Sequence, residues 1–248
     1  TMWLLGSLCS AAAAGFYVQV SHQLGANDAV QARSTLRQGI MSVLIVSGLL
    51  GFIALAISPF LPTWLGGNAS ITPTSSAYFA VVASALPVFQ FSMFGSGMLR
   101  SSGNMVVPSV MSVVMMTLDV IFNFFLIFDT RTVDVLGISL TIPGAGMGVV
   151  GAGIGTASAE LVAASITMYI LCFRNKELNL TIDRGRFLPT WRVVKNALHI
   201  GLPMGIQQTI MTSAYIVTTI IIAPLGTIAI AANSFGIIVE SLCYMPGY

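Results

Sequence analysis

Three acidic residues lie inside long apolar stretches of the sequence, namely Asp119, Glu160 and Glu240. An ionisable side chain at the centre of a membrane helix costs about 2.5–3.5 kcal/mol on insertion scales. Such a residue therefore usually faces the interior of a helix bundle or an aqueous cavity. This pattern makes each of the three acids a candidate for binding a cation or a proton.

The sharpest of these candidates is Asp119, which stands one helical turn before Asn123, so that both side chains lie on one face of a helix. The pair offers a carboxylate and an amide carbonyl, and such hard oxygen ligands suit Na⁺. The carboxylate alone could instead carry a proton. The alternative interpretation is a hydrogen-bonded pair that only holds two helices together.

Further polar residues in the apolar stretches are candidates for lining a substrate cavity. Glu160 could take part in ion coupling or simply hydrogen-bond across helices, and Glu240 could attract cationic substrates. For the other three candidates, Gln207, Gln208 and Asn233, hydrogen bonding between helices is an equally good interpretation. The cavity candidates are Glu160, Gln207, Gln208, Asn233 and Glu240.

The composition shows which elements must hold these residues. Of the 248 residues, 56% are hydrophobic and 7% are charged, whereas soluble domains carry about 25% charged residues. The apolar residues must therefore face lipid. The net charge of +2 gives no reason to expect nucleic acid as a partner. The sequence has no P-loop and no nucleophile paired with a histidine, so we do not expect an enzyme.

Seven apolar stretches are long enough to cross about 30 Å of hydrocarbon as helices of about 20 residues. Helices are favoured because every backbone polar group in lipid must be satisfied within its own segment. The sequence therefore predicts an all-α membrane protein, a polytopic helix bundle with seven transmembrane helices. The predicted spans are 2–20, 39–61, 76–99, 106–128, 148–173, 198–223 and 226–248.

The basic residues lie in alternate loops. Nine of the ten Lys and Arg residues fall in the predicted loops 21–38, 100–105 and 174–197, and Arg131 is the tenth. Because cytoplasmic loops are enriched in Lys and Arg, these three loops are predicted to be cytoplasmic. The loop 129–147, rich in Gly and Thr, is predicted on the opposite side, dipping into the lipid headgroups.

The segment 174–197 is the one clear break in composition. It is charged, and its end, 191–198, reads as a short amphipathic helix on the membrane surface. We predict that this linker separates residues 1–173, most of an N-terminal bundle, from 198–248, the first hairpin of a C-terminal bundle. Both ends of the sequence fall in apolar runs, so we expect a chain truncated at both ends.

Several motifs, taken in order, resemble the multidrug and toxic compound extrusion (MATE) family. They extend over nearly the whole chain, and their set is more specific than any one of them. They are QVSHQLGAND at 19–28, GMLRSSGN at 97–104 followed by Pro108, GMGVVGAGIGT at 146–156, GLPMGIQQ at 201–208 and APLGT at 223–227, with Asn233 and Glu240-Ser241-Leu242 downstream.

The resemblance implies a twelve-helix transporter made of two six-helix bundles, of which this chain resembles helices two to eight. The DinF-like branch of the family has an Asn and an Asp one turn apart on helix five and a Thr on helix six. Here the order is swapped, with Asp119 at the usual Asn position and Asn123 at the usual Asp position. The Thr position matches Thr156. The resemblance thus implies a cation site of Asp119, Asn123 and Thr156.

The function implied by this resemblance is secondary active antiport in the bacterial inner membrane. A monomeric full-length protein would export organic cations in exchange for Na⁺ or H⁺, with no cofactor other than the coupling ion. A lipid-linked sugar flippase of the same superfold is one alternative, but it would need a strongly basic central cavity. A membrane scaffold that transports nothing is the other alternative.

Overall fold

Seven α-helices and one β-hairpin form the described part of the chain. The computed structural model describes residues 2–59, 72–135, 138–182, 187–222 and 227–244. One helix corresponds to each predicted span, so the predicted helical membrane fold is confirmed. The elements are α1 (Met2–Gly25), α2 (Ala29–Ile57), α3 (Thr72–Ser101), α4 (Val106–Ile127), β1 (Asp129–Val135), β2 (Ile138–Ala145), α5 (Gly148–Tyr169) with a π-helical turn (Ile170–Arg174), α6 (Trp191–Ile222) and α7 (Thr227–Tyr244).

Four helical segments in the described residues are long and apolar enough to cross a membrane: Ala29–Ile57, Ser76–Ser101, Val106–Ile127 and Gly148–Arg174. Large apolar side chains along α4, such as Val113 and Val120, are exposed rather than packed inside the protein. A helix with such a surface is stable in lipid, where no hydrophobic penalty applies to the exposed side chains.

The turn between α1 and α2 is much shorter than the predicted loop 21–38. Only three residues, 26–28, separate the two helices. Asn27 adopts a left-handed backbone with φ of 63°, and the Asp28 carboxylate caps α2 by accepting a hydrogen bond from the Gln31 amide at 3.0 Å. The loop prediction was too long because polar residues can continue a helix beyond the hydrocarbon.

The loop predicted at 129–147 contains two paired strands, which the prediction did not include. β1 and β2 pair antiparallel, with Thr132 opposite Thr141 and Val135 opposite Ile138. The Thr130 hydroxyl donates to the Gly144 carbonyl at 3.1 Å and accepts from its amide at 3.2 Å. β-Branched residues favour strands, and their abundance here is the signal that the prediction overlooked.

Packing of the helices is organised around α3. It contacts α1, α2 and α5, while α4 packs mainly on α5, and α1 packs on α2 and α6. The contact between α1 and α6 brings backbones together: a Cβ at Gly201 would lie 2.5 Å from the Ala11 carbonyl oxygen, and one at Gly15 would overlap the Ala197 carbonyl. Such small residues allow close helix crossings.

Hydrogen bonds draw the three basic loops to one face of the protein, which we call the linker face (residues 26–38, 102–105, 175–182 and 187–190). Arg33 donates to the Glu177 carbonyl at 3.1 Å, and Arg37 donates to the Leu180 carbonyl at 2.9 Å. Asn175 donates to the Ser102 hydroxyl at 2.8 Å. The prediction that these loops share one side is therefore confirmed.

The predicted surface helix 191–198 is not a separate element. It forms the first turns of α6, which runs unbroken from Trp191 to Ile222, so the predicted boundary at residue 197 falls inside a helix. Pro189 precedes the first turn, where the amides of Val193 and Val194 both bond to the Thr190 carbonyl. Nothing between these residues and Pro203 breaks the helix, so the amphipathic turns continue into the apolar segment.

Candidate functional site

The antiparallel packing of α4 on α5 sets the level of each polar residue within the pair. A Cβ at Gly151 would lie 2.5 Å from the Leu126 carbonyl oxygen. One turn further along α5, the Asn123 amide oxygen occupies the space where a Gly155 side chain would be. Because neither glycine has a side chain, α4 and α5 approach closely there. Asn123 on α4 therefore lies against Gly155, the residue before Thr156 on α5.

Three side-chain oxygens of this pair are buried and have no hydrogen-bond partner among the described residues. They are Oδ1 of Asp119, Oδ1 of Asn123 and Oε2 of Glu160. A buried polar group without a partner costs about 1–3 kcal/mol, and more when it is charged. An arrangement that keeps three such oxygens in one helix pair is suited to binding a cation or a proton.

Glu160 connects the helix pair to α3. Its side chain is 6% exposed and forms a hydrogen bond with Ser92. The carboxylate of Asp119 is near enough to act on Glu160 electrostatically. The structure therefore brings together two acids that the sequence analysis assigned to separate roles, one to cation binding and the other to the cavity.

A cavity of about 1320 Å³ opens beside this group. α1 and α3 form its main walls, α4 forms a third, and α5 and α6 each contribute two residues. Its surface mixes serine hydroxyls with methionine side chains and the ring of Phe89. The lining residues are Ser10, Ala13, Tyr17, Val18, Ser21, His22, Gly25, Val82, Leu86, Phe89, Gln90, Ser92, Met93, Ser96, Gly97, Arg100, Ser101, Met111, Ser112, Met115, Met116, Glu160, Ala163, Gln208 and Thr212.

Two of the predicted cavity residues, Glu160 and Gln208, line this cavity. Gln207 lines a separate, smaller pocket of about 530 Å³ beside Pro203 and Met211. A one-residue step along a helix turns the side chain by about 100°, which separates these adjacent glutamines.

The other predicted site residues lie outside the cavity lining. Asp119 lies one turn beyond the cavity residue Met115 on α4, and Thr156 is half-buried next to Gly155. On α7, Glu240 is exposed and Asn233 is half-buried. In the described part of the chain, no three His, Cys, Asp or Glu side chains form a cluster that could hold a metal ion.

One wall of the cavity was not among the predicted site residues, namely the face of α3 that carries Ser92, Ser96 and Arg100. These residues recur every four positions, which places them on one side of the helix. This spacing is visible in the sequence, but it was overlooked because Arg100 was counted only as a loop charge.

Comparison with known proteins shows the same architecture. The sequence model of the MatE family matches residues 1–125. Probable multidrug resistance protein NorM of Thermotoga maritima is 24% identical over 99% of this chain and 50% of its own length. The NorM protein of Xanthomonas axonopodis pv. citri is 28% identical over 98% of this chain and 51% of its own length.

A solved structure with the same fold is that of a MOP superfamily transporter from Pyrococcus furiosus, described as having a binding pocket of reversed polarity. It superposes with a TM-score of 0.83 at 19% identity, over 99% of this chain and 51% of that one. The chain therefore spans about half the length of the proteins that it matches.

The relatives are transporters rather than enzymes. Together with the four helical segments that are long and apolar enough to cross a membrane, they show that this chain belongs to a multi-pass protein of the plasma membrane. The DinF-like branch stays a prediction. Because the family's sequence model covers half of the residues and the architecture agrees along the whole length, the chain belongs to the MatE family.

Proposed function

We propose that the protein carrying this chain is a secondary active antiporter, which exports organic cations or drugs in exchange for Na⁺ or H⁺. The observation that carries the proposal is the set of buried oxygens of Asp119, Asn123 and Glu160 that lack partners beside a large cavity. A coupling ion would satisfy these oxygens, to which no described residue donates a hydrogen bond.

The proposed ion site lies between α4 and α5. Asp119 and Asn123 supply a carboxylate and an amide oxygen, and Thr156 supplies a hydroxyl one residue after Gly155, against which Asn123 packs. These are hard ligands, which suit Na⁺, and the carboxylate by itself suits a proton. The bound ion would neutralise part of the negative charge that Glu160 faces.

The proposed substrate site is the cavity beside Glu160. Its volume of about 1320 Å³ exceeds the roughly 300–1,000 Å³ of most small-molecule pockets, so it has room for drug-sized cations. Met93, Met111 and Met115 give one side of it an adaptable apolar surface. The Glu160 carboxylate supplies the negative charge that attracts a cation.

The names of the relatives support drug export as the function, since both NorM proteins are described as probable multidrug resistance proteins. Because the chain spans about half of their length, this activity is proposed for the whole protein. We propose that it acts as a monomer.

A flippase for lipid-linked sugars would need a strongly basic cavity, and the lining of this cavity does not favour it. His22 and Arg100 are its basic residues, and Glu160 carries the opposite charge on the same lining. No observation supports the alternative of a membrane scaffold, and a transport assay distinguishes a scaffold from a transporter.

Transport by proteoliposomes tests the proposal. The protein, expressed from its complete reading frame, should move ethidium when either a Na⁺ or a proton gradient is imposed. Asp119→Asn removes the charge from the proposed ion site and should lower this transport about tenfold or more, within the usual range of coupling free energies.

Asp28→Asn is the matched control, because Asp28 is exposed at the start of α2 and Asn caps helices as well as Asp does. It should transport at the wild-type rate. No ethidium transport under either gradient by folded wild-type protein would refute antiport. An unchanged rate in Asp119→Asn would contradict the ion site proposed between α4 and α5.

A further inference from the structure

The cavity carries opposite charges at two levels of one wall. Ser92, which bonds to Glu160, and Arg100 both lie on the cavity face of α3. They are eight residues apart, which corresponds to about 12 Å along a helix. Ser96 lies between them on the same face. A solute in the cavity would therefore meet a carboxylate at one level and a guanidinium about two turns away.

Arg100 differs from the other arginines near the linker face. Arg33 and Arg37 are buried, at 8% and 3% exposure, and both donate to linker carbonyls. Arg100 is exposed, lines the cavity and has no acidic partner among the described residues. Its positive charge is near enough to interact electrostatically with the phenol of Tyr17, a residue of α1 that also lines the cavity. Among the described residues of the linker, the carbonyls that accept from arginines on α2 accept from Arg33 and Arg37, and no bond from Arg100 joins them.

Glu160 at the other level is more than nine-tenths buried, and its Oε2 atom lacks a hydrogen-bond partner in the described structure. A cationic group is the natural partner for this oxygen. A guanidinium presents a planar fork of donors that matches a carboxylate or phosphate. Both attractions are stronger in a cavity with protein walls than in bulk water.

We propose that this cavity selects zwitterionic solutes, holding a cationic group at Glu160 and an oxyanion, such as a carboxylate, at Arg100. This inference rests on the proposed function, because it names the substrate class of the same cavity. It assigns Arg100 as a specificity-determining residue, a role that simple organic cations would not require.

A pair of matched dyes tests the proposal. Tetramethylrhodamine is a zwitterion, and its methyl ester has the same chromophore without the carboxylate. We would measure the binding of both dyes by fluorescence anisotropy, using the purified complete protein in phosphatidylcholine nanodiscs. Arg100→Gln should weaken binding of the acid about tenfold, the loss expected for one charge-assisted contact, and leave the ester within about twofold.

Arg100→Lys keeps the charge and should retain part of the preference for the acid, so it covers the case in which Arg100→Gln does not fold. Arg174→Gln is the matched control, since Arg174 is exposed outside the cavity lining. It should bind both dyes as the wild type does. Glu160→Gln should weaken both dyes, because both carry the cationic chromophore.

Three results would overturn the proposal. Arg100→Gln could weaken the binding of both dyes equally, or it could leave the binding of both unchanged. In the third, added phosphatidylglycerol would change the binding of both dyes to the wild type but not to Arg100→Gln. The last result would assign Arg100 to a lipid phosphate.

The transport experiment separates this inference from the proposed function. Ethidium transport with no discrimination between the dyes would refute the zwitterion proposal alone. Discrimination dependent on Arg100, without transport under either gradient, would refute antiport alone.

Discussion

Two regions of this protein bury polar groups and treat them differently. At the linker face, Arg33, Arg37 and Asn175 each donate a hydrogen bond at 2.8–3.1 Å to the neighbouring loop or linker. Between α4 and α5, Asp119 and Asn123 each bury an oxygen that has no partner among the described residues. Buried polar groups are usually paired, so the linker face follows the rule and the helix pair departs from it.

The difference shows how structural and functional polar groups can be separated within one membrane protein. A paired group holds two segments together, whereas an unpaired carboxylate retains its capacity to bind a ligand. Lack of a partner is not sufficient evidence alone, because Oε1 of Gln23 and Oγ1 of Thr35 also have none in the part of the chain that the structure describes. Asn123 is uncharged as well, but of these three neutral groups only Asn123 lies one helical turn from a carboxylate with an unpaired oxygen, that of Asp119. Leaving a carboxylate unpaired costs more than leaving a neutral group unpaired.

The comparison between the linker face and the α4–α5 pair can be tested by substitution, and the largest effect is expected at Glu160. Glu160→Gln should lower ion-driven ethidium transport about tenfold or more, as expected for the loss of a coupling interaction. The melting temperature in detergent should stay the same or rise, because a neutral amide is less costly to bury than a carboxylate. Proteoliposome assays and thermal unfolding of the same preparations measure both quantities.

Glu177→Gln is the control for this change, since Glu177 is exposed in the linker and only its carbonyl accepts the bond from Arg33. It should alter neither transport nor melting. If Glu160→Gln unfolded the protein at a lower temperature and transported normally, Glu160 would belong with the structural groups of the linker face.

A smaller effect, of the opposite kind, is expected at Arg37. Arg37→Met removes the bond to the Leu180 carbonyl and should destabilise the protein by about 1.5 kcal/mol, the usual value for a hydrogen bond from a charged group. Transport per folded molecule should stay within about twofold of wild type, since Arg37 does not line the cavity.

Thermal unfolding and transport normalised to folded protein check this prediction. Arg192→Met, which changes an exposed arginine on α6, should leave the stability unchanged. Loss of transport in folded Arg37→Met would mean that the linker face takes part in the transport cycle, and the contrast between the two regions would fail.

The smallest effect is expected at the cap of α2. Asp28→Ala should lower the stability by about 1 kcal/mol, because the Gln31 amide loses its acceptor. Asp28→Asn should change it by no more than a few tenths of a kcal/mol. Thermal unfolding of the two variants side by side tests whether the carboxylate acts as a cap, and equal destabilisation by both would rule that out.

Much of the fold could be predicted from the sequence, because lipid leaves few choices for the backbone. The seven apolar stretches each became a helix, and the basic loops were correctly placed on one face. The β-hairpin at 129–145 and the continuity of α6 through residue 197 were missed. Both lie where polar residues leave the hydrocarbon, and there side-chain contacts rather than lipid decide the conformation.

The candidate site was only partly predictable. The position of Asp119 one turn from Asn123 is a property of a single helix, so the spacing of the two residues along the chain is enough to predict it. The proximity of Asp119 to Glu160 depends on the antiparallel contact of α4 with α5. The placement of Arg100 in the cavity depends on the packing of α1 against α3, where the Tyr17 ring fits over Gly97.

By itself, therefore, the sequence determined that this protein is a membrane helix bundle with acids in apolar segments, because hydropathy and helical spacing are local properties. The tertiary structure decided which oxygens stay without partners, that Gln208 rather than Gln207 lines the cavity, and that Arg100 shares a wall with Glu160. Those outcomes depend on how helices distant in sequence pack and rotate against each other, which no single segment specifies.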